Sequence, residues 1–179
     1  MISTIKNKLL ALYYHKIKHL DDSAILILNL RKRGITIGEH CRLFTNIYSR
    51  EPTLIHIGNR VTISSDVSFC THDNAIIKAI PGKTDVVGRI VVGDDCFIGM
   101  HSILMYGVTL GDHCIVGAGS VVTHSFPSGT VLAGNPAKAI CTIERFAEKY
   151  KDFAVDFRKI PLDERASFFE THPELMVVK

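Results

Sequence analysis

VGDDCF, IGMHSI, LMYGVT, LGDHCI, VGAGSV and VTHSFP follow one another without a gap over residues 92–127. Each hexad opens on an aliphatic residue (Val92, Ile98, Leu104, Leu110, Val116, Val122), and glycine follows it at Gly93, Gly99, Gly111 and Gly117. The fifth place holds a small or β-branched side chain: Cys96, Ser102, Val108, Cys114 and Ser120. A period of six matches neither the 3.6-residue helix nor a long alternating strand. It matches a short strand and a corner repeated around a three-sided prism. On this reading the aliphatic residue points inward, and the small fifth residue fits inside the corner. The glycine supplies a positive φ or lets a neighbouring backbone come close.

The same period runs upstream as IGEHCR and LFTNIY from Ile37, then IGNRVT, ISSDVS and FCTHDN from Ile57. It slips between Tyr48 and Ile57 and again between Asn74 and Ile90, so each slip marks an insertion that leaves the coil. At three hexads per coil the pattern gives roughly four stacked coils, enough to bury one continuous core. The expected fold is all-β, a parallel β-helix over residues 34–141 with an excursion at 73–89, flanked by helical segments at 1–33 and 142–179.

The hexapeptide pattern, together with AGNPAKAI at 133–140, resembles the acyltransferases of the hexapeptide-repeat superfamily. That resemblance implies a left-handed β-helix, a handedness that the repeat alone does not dictate. The runs THDN, GDDCFIG and AGNPAKAI with the following ERF are most similar to acetyltransferases of bacterial surface-polysaccharide synthesis.

Composition sets wide bounds. The 179 residues are 46% hydrophobic, which suits one domain with a core, and the net charge of +3 is mild. No RNA-binding signature, zinc-finger spacing or Arg-rich helix points to nucleic acid. The five cysteines form no CxxC pair, and Cys41, Cys96 and Cys114 take the fifth hexad place, so they read as reduced core fillers of a cytoplasmic protein. The longest apolar run, Ala24 to Leu28, is too short to cross a bilayer.

At the ends, Ile2, Ile5, Leu9, Leu12, Tyr13, Ile17 and Leu20 make a helical stripe with lysines between them. Packing on the prism or on a neighbouring subunit is favoured over contact with a membrane surface. Asp21, Asp22 and Ser23 carry helix-start chemistry, Thr142 caps a short helix through Tyr150, and a second helix follows from Pro161 to Glu170. The tail is expected to plug the open end of the prism and shield its strand edges.

His72 lies where the period breaks and the chain leaves the prism. Loops held by a rigid scaffold carry chemistry, and an imidazole titrates near neutral pH, as a general base requires. The resemblance makes His72 the base that deprotonates an acceptor hydroxyl. It also implies acetyl-CoA as acyl donor, lying between adjacent prisms of a homotrimer. The contacts it implies are the Ala118 backbone in GAGS, Thr123, His124 where relatives usually carry lysine, and Lys138 in GNPAK near the nucleotide phosphates. Cys141 replaces the next basic residue common in related enzymes. The Met100 N–H is the implied oxyanion donor. Asn46, Glu51 and Asp73 are the candidate contacts to a sugar acceptor, and no metal is expected. Cys70, two residues from His72, reads as packing rather than as a nucleophile.

The function this supports is O-acetylation of a sugar or polysaccharide precursor by direct transfer. Alternatives are N-acetylation of a sugar nucleotide and acetylation of serine or an antibiotic. In other classes stand a γ-class carbonic anhydrase, raised by His72, His101 and His113, and a non-catalytic scaffold. The carbonic anhydrases pair two of their histidines five residues apart, whereas His101 and His113 are twelve apart.

Overall fold

The computed structural model describes residues 21–178, so the amphipathic stripe of residues 1–20 lies outside the described residues. Short strands wind into a three-sided prism. Its first face stacks β1 (Thr36–Ile37), β3 (Ile55–Ile57), β8 (Ile90–Val92) and β11 (Thr109–Leu110), all parallel. The second stacks β2 (Arg42–Leu43), β4 (Thr62–Ile63), β9 (Phe97–Ile98), β12 (Ile115–Val116) and β14 (Thr130–Gly134). The third stacks β5 (Ser68–Cys70), β10 (Ile103–Met105) and β13 (Val121–Val122). The strands of the first face mark four coils, and a bridge from Leu110 to Phe126 opens a fifth.

The register lines up the hexad openers. Ile37, Ile57, Val92 and Leu110 form one inward column, Leu43, Ile63, Ile98, Val116 and Leu132 another, and Phe69, Leu104 and Val122 the third, all buried. Each such side chain contributes about 1.5–3 kcal/mol of burial. The fifth-place residues are buried as well. The Cys96 Sγ donates to the Gly111 carbonyl at 3.1 Å and Cys114 to that of Pro127 at 3.2 Å, so these thiols join one coil to the next.

The glycine beside each opener works through close approach and not through a positive φ. A Cβ on Gly93 would stand 2.7 Å from the Asp112 nitrogen, and one on Gly99 would stand 2.5 Å from that of Ala118. The left-handed conformation falls two residues further on, at His40, Arg60, Asp66, Asp95, His101 and His113, and at Gly119. Asparagine, aspartate and histidine tolerate that region better than most side chains, which accounts for most of this set. At the corner between the first and second faces, side-chain oxygens form a ladder. Asn59 accepts from the Glu39 N–H, Asp94 from Asn59, Asp112 from Asp94, and Ser128 from Asp112, at 2.8–3.0 Å.

Both ends are covered, and the upper one differs from the expectation. At the lower end α1 (Asp22–Lys32), capped by Asp21, buries Ile27 and Leu30. Ser23 accepts from the Leu43 N–H, and the Arg31 guanidinium donates to the carbonyls of Ile37 and Gly38, which satisfies the open strand edges. At the upper end β15 (Ala137–Thr142) turns back antiparallel on β14, and α2 (Ile143–Tyr150), capped by Thr142, packs against this hairpin. The chain beyond Tyr150 adds α3 (Arg165–Thr171), preceded by a 3₁₀ turn at Leu162–Glu164, but buries none of its described residues. The hairpin and α2, not the whole tail, therefore close the prism.

Candidate active site

Both insertions meet at the corner between the third and first faces. The first, after Ile47, ends in a 3₁₀ turn at Pro52–Leu54 and carries Ser49 and Glu51. The second begins at β6 (His72–Asp73), which pairs antiparallel with β7 (Val86–Val87) so that the excursion is a two-stranded arm with a 3₁₀ turn at Asn74–Lys78. Its base is tied by the Asn74 side-chain amide, which donates to the Thr84 carbonyl at 2.6 Å. Outside that base it exposes Ile77 and Ile80.

This meeting sets the His72 Nδ1 2.8 Å from the Glu51 Oε2, with both side chains about two-thirds buried. A hydrogen bond from the Thr71 hydroxyl and then one from His72 hold the Glu51 carboxyl below the usual carboxylate range. An ionised carboxylate only accepts, so the Nδ1 carries the proton, and Nε2 of the neutral ring is left as an acceptor. Glu51, expected to meet the acceptor, is thus the partner of the imidazole. The two residues lie 21 positions apart, and no local motif couples them.

The other candidates separate. Asp73 accepts from the Ala75 N–H at 2.8 Å and so caps the arm's own turn. Thr123 and His124 stand on the same kind of corner two coils above His72, joined to each other at 2.8 Å. Met100 and Ala118 stack at the corner between the second and third faces, where the Met100 carbonyl accepts from the Gly119 N–H. Asn46 sits on that edge in the first coil, its Oδ1 accepting from Arg33 at 3.1 Å. Lys138 is exposed on β15 opposite Ala133. Within one chain a whole strand face, roughly 15 Å at 3.3 Å per residue, separates the His72 edge from the Met100 and Ala118 edge.

Beside the second edge runs a groove of about 640 Å³, lined among others by Phe97, Met100, Ala118, Ile140, Phe146 and Tyr150. Glycine and alanine leave the backbone bare at its rim, and α2 forms one wall. The periodicity gave no sign of this wall, because Phe146 and Tyr150 lie outside the repeat.

Cys70 is half-buried, and burial and then the Asp73 charge push its thiol up, which disfavours a nucleophilic role. His72, His101 and His113 occupy three different corners of the chain. Among the described residues no group of three His, Cys, Asp or Glu side chains converges to hold a metal ion, and no helix is long and apolar enough to cross a membrane.

Known proteins share this pattern. A sequence profile described as the hexapeptide repeat of succinyl-transferase matches residues 89–124. Protein CapG of Staphylococcus aureus is 43% identical over 142 residues, spanning 76% of this chain and 82% of its own length. Among solved structures, a galactoside acetyltransferase in complex with coenzyme A aligns with a TM-score of 0.55 at 24% identity, over 80% of this chain and 82% of that one. A maltose O-acetyltransferase from Clostridium difficile 630 aligns with a TM-score of 0.53 at 22% identity, over 76% and 83%. At those identities the likeness of the two structures is one of fold.

Proposed function

The chain belongs to the hexapeptide-repeat acyltransferases, and on that premise we propose that it moves an acetyl group from acetyl-CoA to a hydroxyl of a sugar or polysaccharide precursor by direct transfer. The observation that carries this reading is the His72 imidazole, held through Nδ1 by Glu51 with Nε2 left as a base. Nε2 takes the hydroxyl proton as that oxygen attacks the thioester carbonyl, with the Met100 N–H as a fixed dipole for the oxyanion. The C–S bond then breaks, and the proton on the imidazole leaves with the thiol. Asn46 and Asp73 are assigned to the acceptor side.

The groove beside Ala118 suits the thin pantetheine arm, since a bare backbone admits a ligand that bulky side chains would block. Thr123 and His124 contact the donor from the other edge, and the Lys138 ammonium meets its phosphates. Because the two edges stand a face apart in one chain, the site is completed by a second copy. We assign the assembly to a homotrimer that pairs the His72 edge of one subunit with the groove of the next.

Thiol release from acetyl-CoA, assayed against a panel of sugars, sugar nucleotides and antibiotics, tests this. A sugar hydroxyl acceptor is expected, with His72→Ala lowering turnover by about 10²–10⁴-fold while coenzyme A still binds. Unchanged turnover in His72→Ala removes the imidazole from the reaction.

A further inference from the structure

Behind the imidazole lies a closed ring of hydrogen bonds with a single consistent direction. Thr71 is 1% exposed, and its hydroxyl stands 2.8 Å from the Glu51 Oε2, the same oxygen that meets His72. The carboxylate has no proton to give, so the one proton of Thr71 points at Glu51. Thr71 Oγ1 must then accept from its other neighbour, the Ser49 Oγ at 2.8 Å. Ser49 in turn accepts from the Glu51 backbone N–H at 3.0 Å. The circuit leaves Glu51 through its amide and returns to Glu51 through its carboxylate, with every donor and acceptor role fixed.

We propose that Ser49 and Thr71 are positioning residues that lock the Glu51 side chain and thereby set the His72 tautomer, a role that rests on the assignment of His72 as the base. Without the ring, Glu51 is a side chain one-third exposed and with several rotatable bonds. Its carboxylate would then turn toward water, and the imidazole would carry its proton on either nitrogen. The tautomer protonated on Nε2 presents a donor to the acceptor hydroxyl and is inert as a base. Thr71 also joins the two insertions: it lies between the third-face strand of its coil and the arm, and reaches the loop inserted one coil below. That arrangement aligns the first insertion with the arm before any substrate is bound.

The ring is tested on the whole assembly by ¹⁵N NMR of the neutral His72 ring, identified by its absence in His72→Ala, alongside steady-state kinetics. Wild type is expected to show the Nδ1-protonated tautomer alone. Thr71→Val, which keeps the shape and removes the hydroxyl, and Ser49→Ala are expected to show a mixture. Both should lower kcat roughly 10-fold with the KM for acetyl-CoA unchanged, and Thr71→Ser should restore both readouts. Ser49 is only half-buried, so Ser49→Ala carries the test if Thr71→Val does not fold. Retention of the Nδ1 tautomer in every folded variant overturns the proposal. A tautomer mixture in these variants, with turnover indifferent to His72→Ala, upholds the ring and overturns the acetyl-transfer reading instead.

Discussion

The third face of the prism is bounded by two unlike corners. At one, both insertions meet and polar side chains crowd together: Ser49, Glu51, Thr71 and His72 are linked by hydrogen bonds of 2.8–3.0 Å. At the other the hexads run unbroken, and Gly99, Met100, Gly117 and Ala118 leave mostly backbone beside an apolar groove. In the proposed reaction the first corner moves a proton and the second seats a thin ligand. The regular repeat leaves smooth, backbone-lined edges, whereas these polar side chains gather where the repeat breaks. The difference shows why a single chain holds both halves of the proposed site without joining them.

The contrast is broken most directly by substitutions at each corner. Glu51→Gln keeps the shape at the first corner but removes the charge that fixes the ring proton. It is expected to lower kcat roughly 10- to 100-fold with little change in coenzyme A binding, as kinetics and calorimetry would show. Ala118→Trp fills the groove at the second corner. It is expected to raise the Kd for coenzyme A about tenfold or more and to leave the His72 tautomer unchanged. If Glu51→Gln weakened coenzyme A binding and Ala118→Trp altered the tautomer, the division of labour would be lost.

The third corner, with its Asn59, Asp94, Asp112 and Ser128 ladder, serves as the control. Gly93→Ala places a methyl group against the Asp112 backbone and is expected to cost about 1–3 kcal/mol of stability in a denaturant titration. Turnover of the folded fraction should be unaffected. A loss of activity beyond the loss of folded protein would mean that this corner also serves the site.

Much of this was legible in the sequence, because a period of six sorts inward from outward residues directly. Val92, Ile98, Leu104, Leu110, Val116 and Val122 are all buried, and both slips of phase fall where the chain leaves the coil. His72 could be singled out for the same reason, and Thr142 caps its helix as read. The antiparallel return of β15 was not legible, since strand direction depends on what lies beside a segment and not on its own pattern. Nor was the Glu51 and His72 pair, which depends on stacking two coils in register. The corner residues with positive φ did carry a signal: polar Asp66, Asp95, His101 and His113 recur at the fourth hexad place, two residues beyond the position where glycine drew attention.

Mixed assembly tests whether the imidazole and the donor groove come from different copies. His72→Ala and Ala118→Trp proteins, each weak alone, would be unfolded together in equal amounts, refolded and assayed for thiol release. If the site spans two subunits of a trimer, random mixing gives intact pairs at roughly a quarter of the sites, and activity returns to about that fraction of wild type. If both halves belong to one chain, every site keeps a defect, and a mixture no more active than its separate components rules out a site shared between subunits.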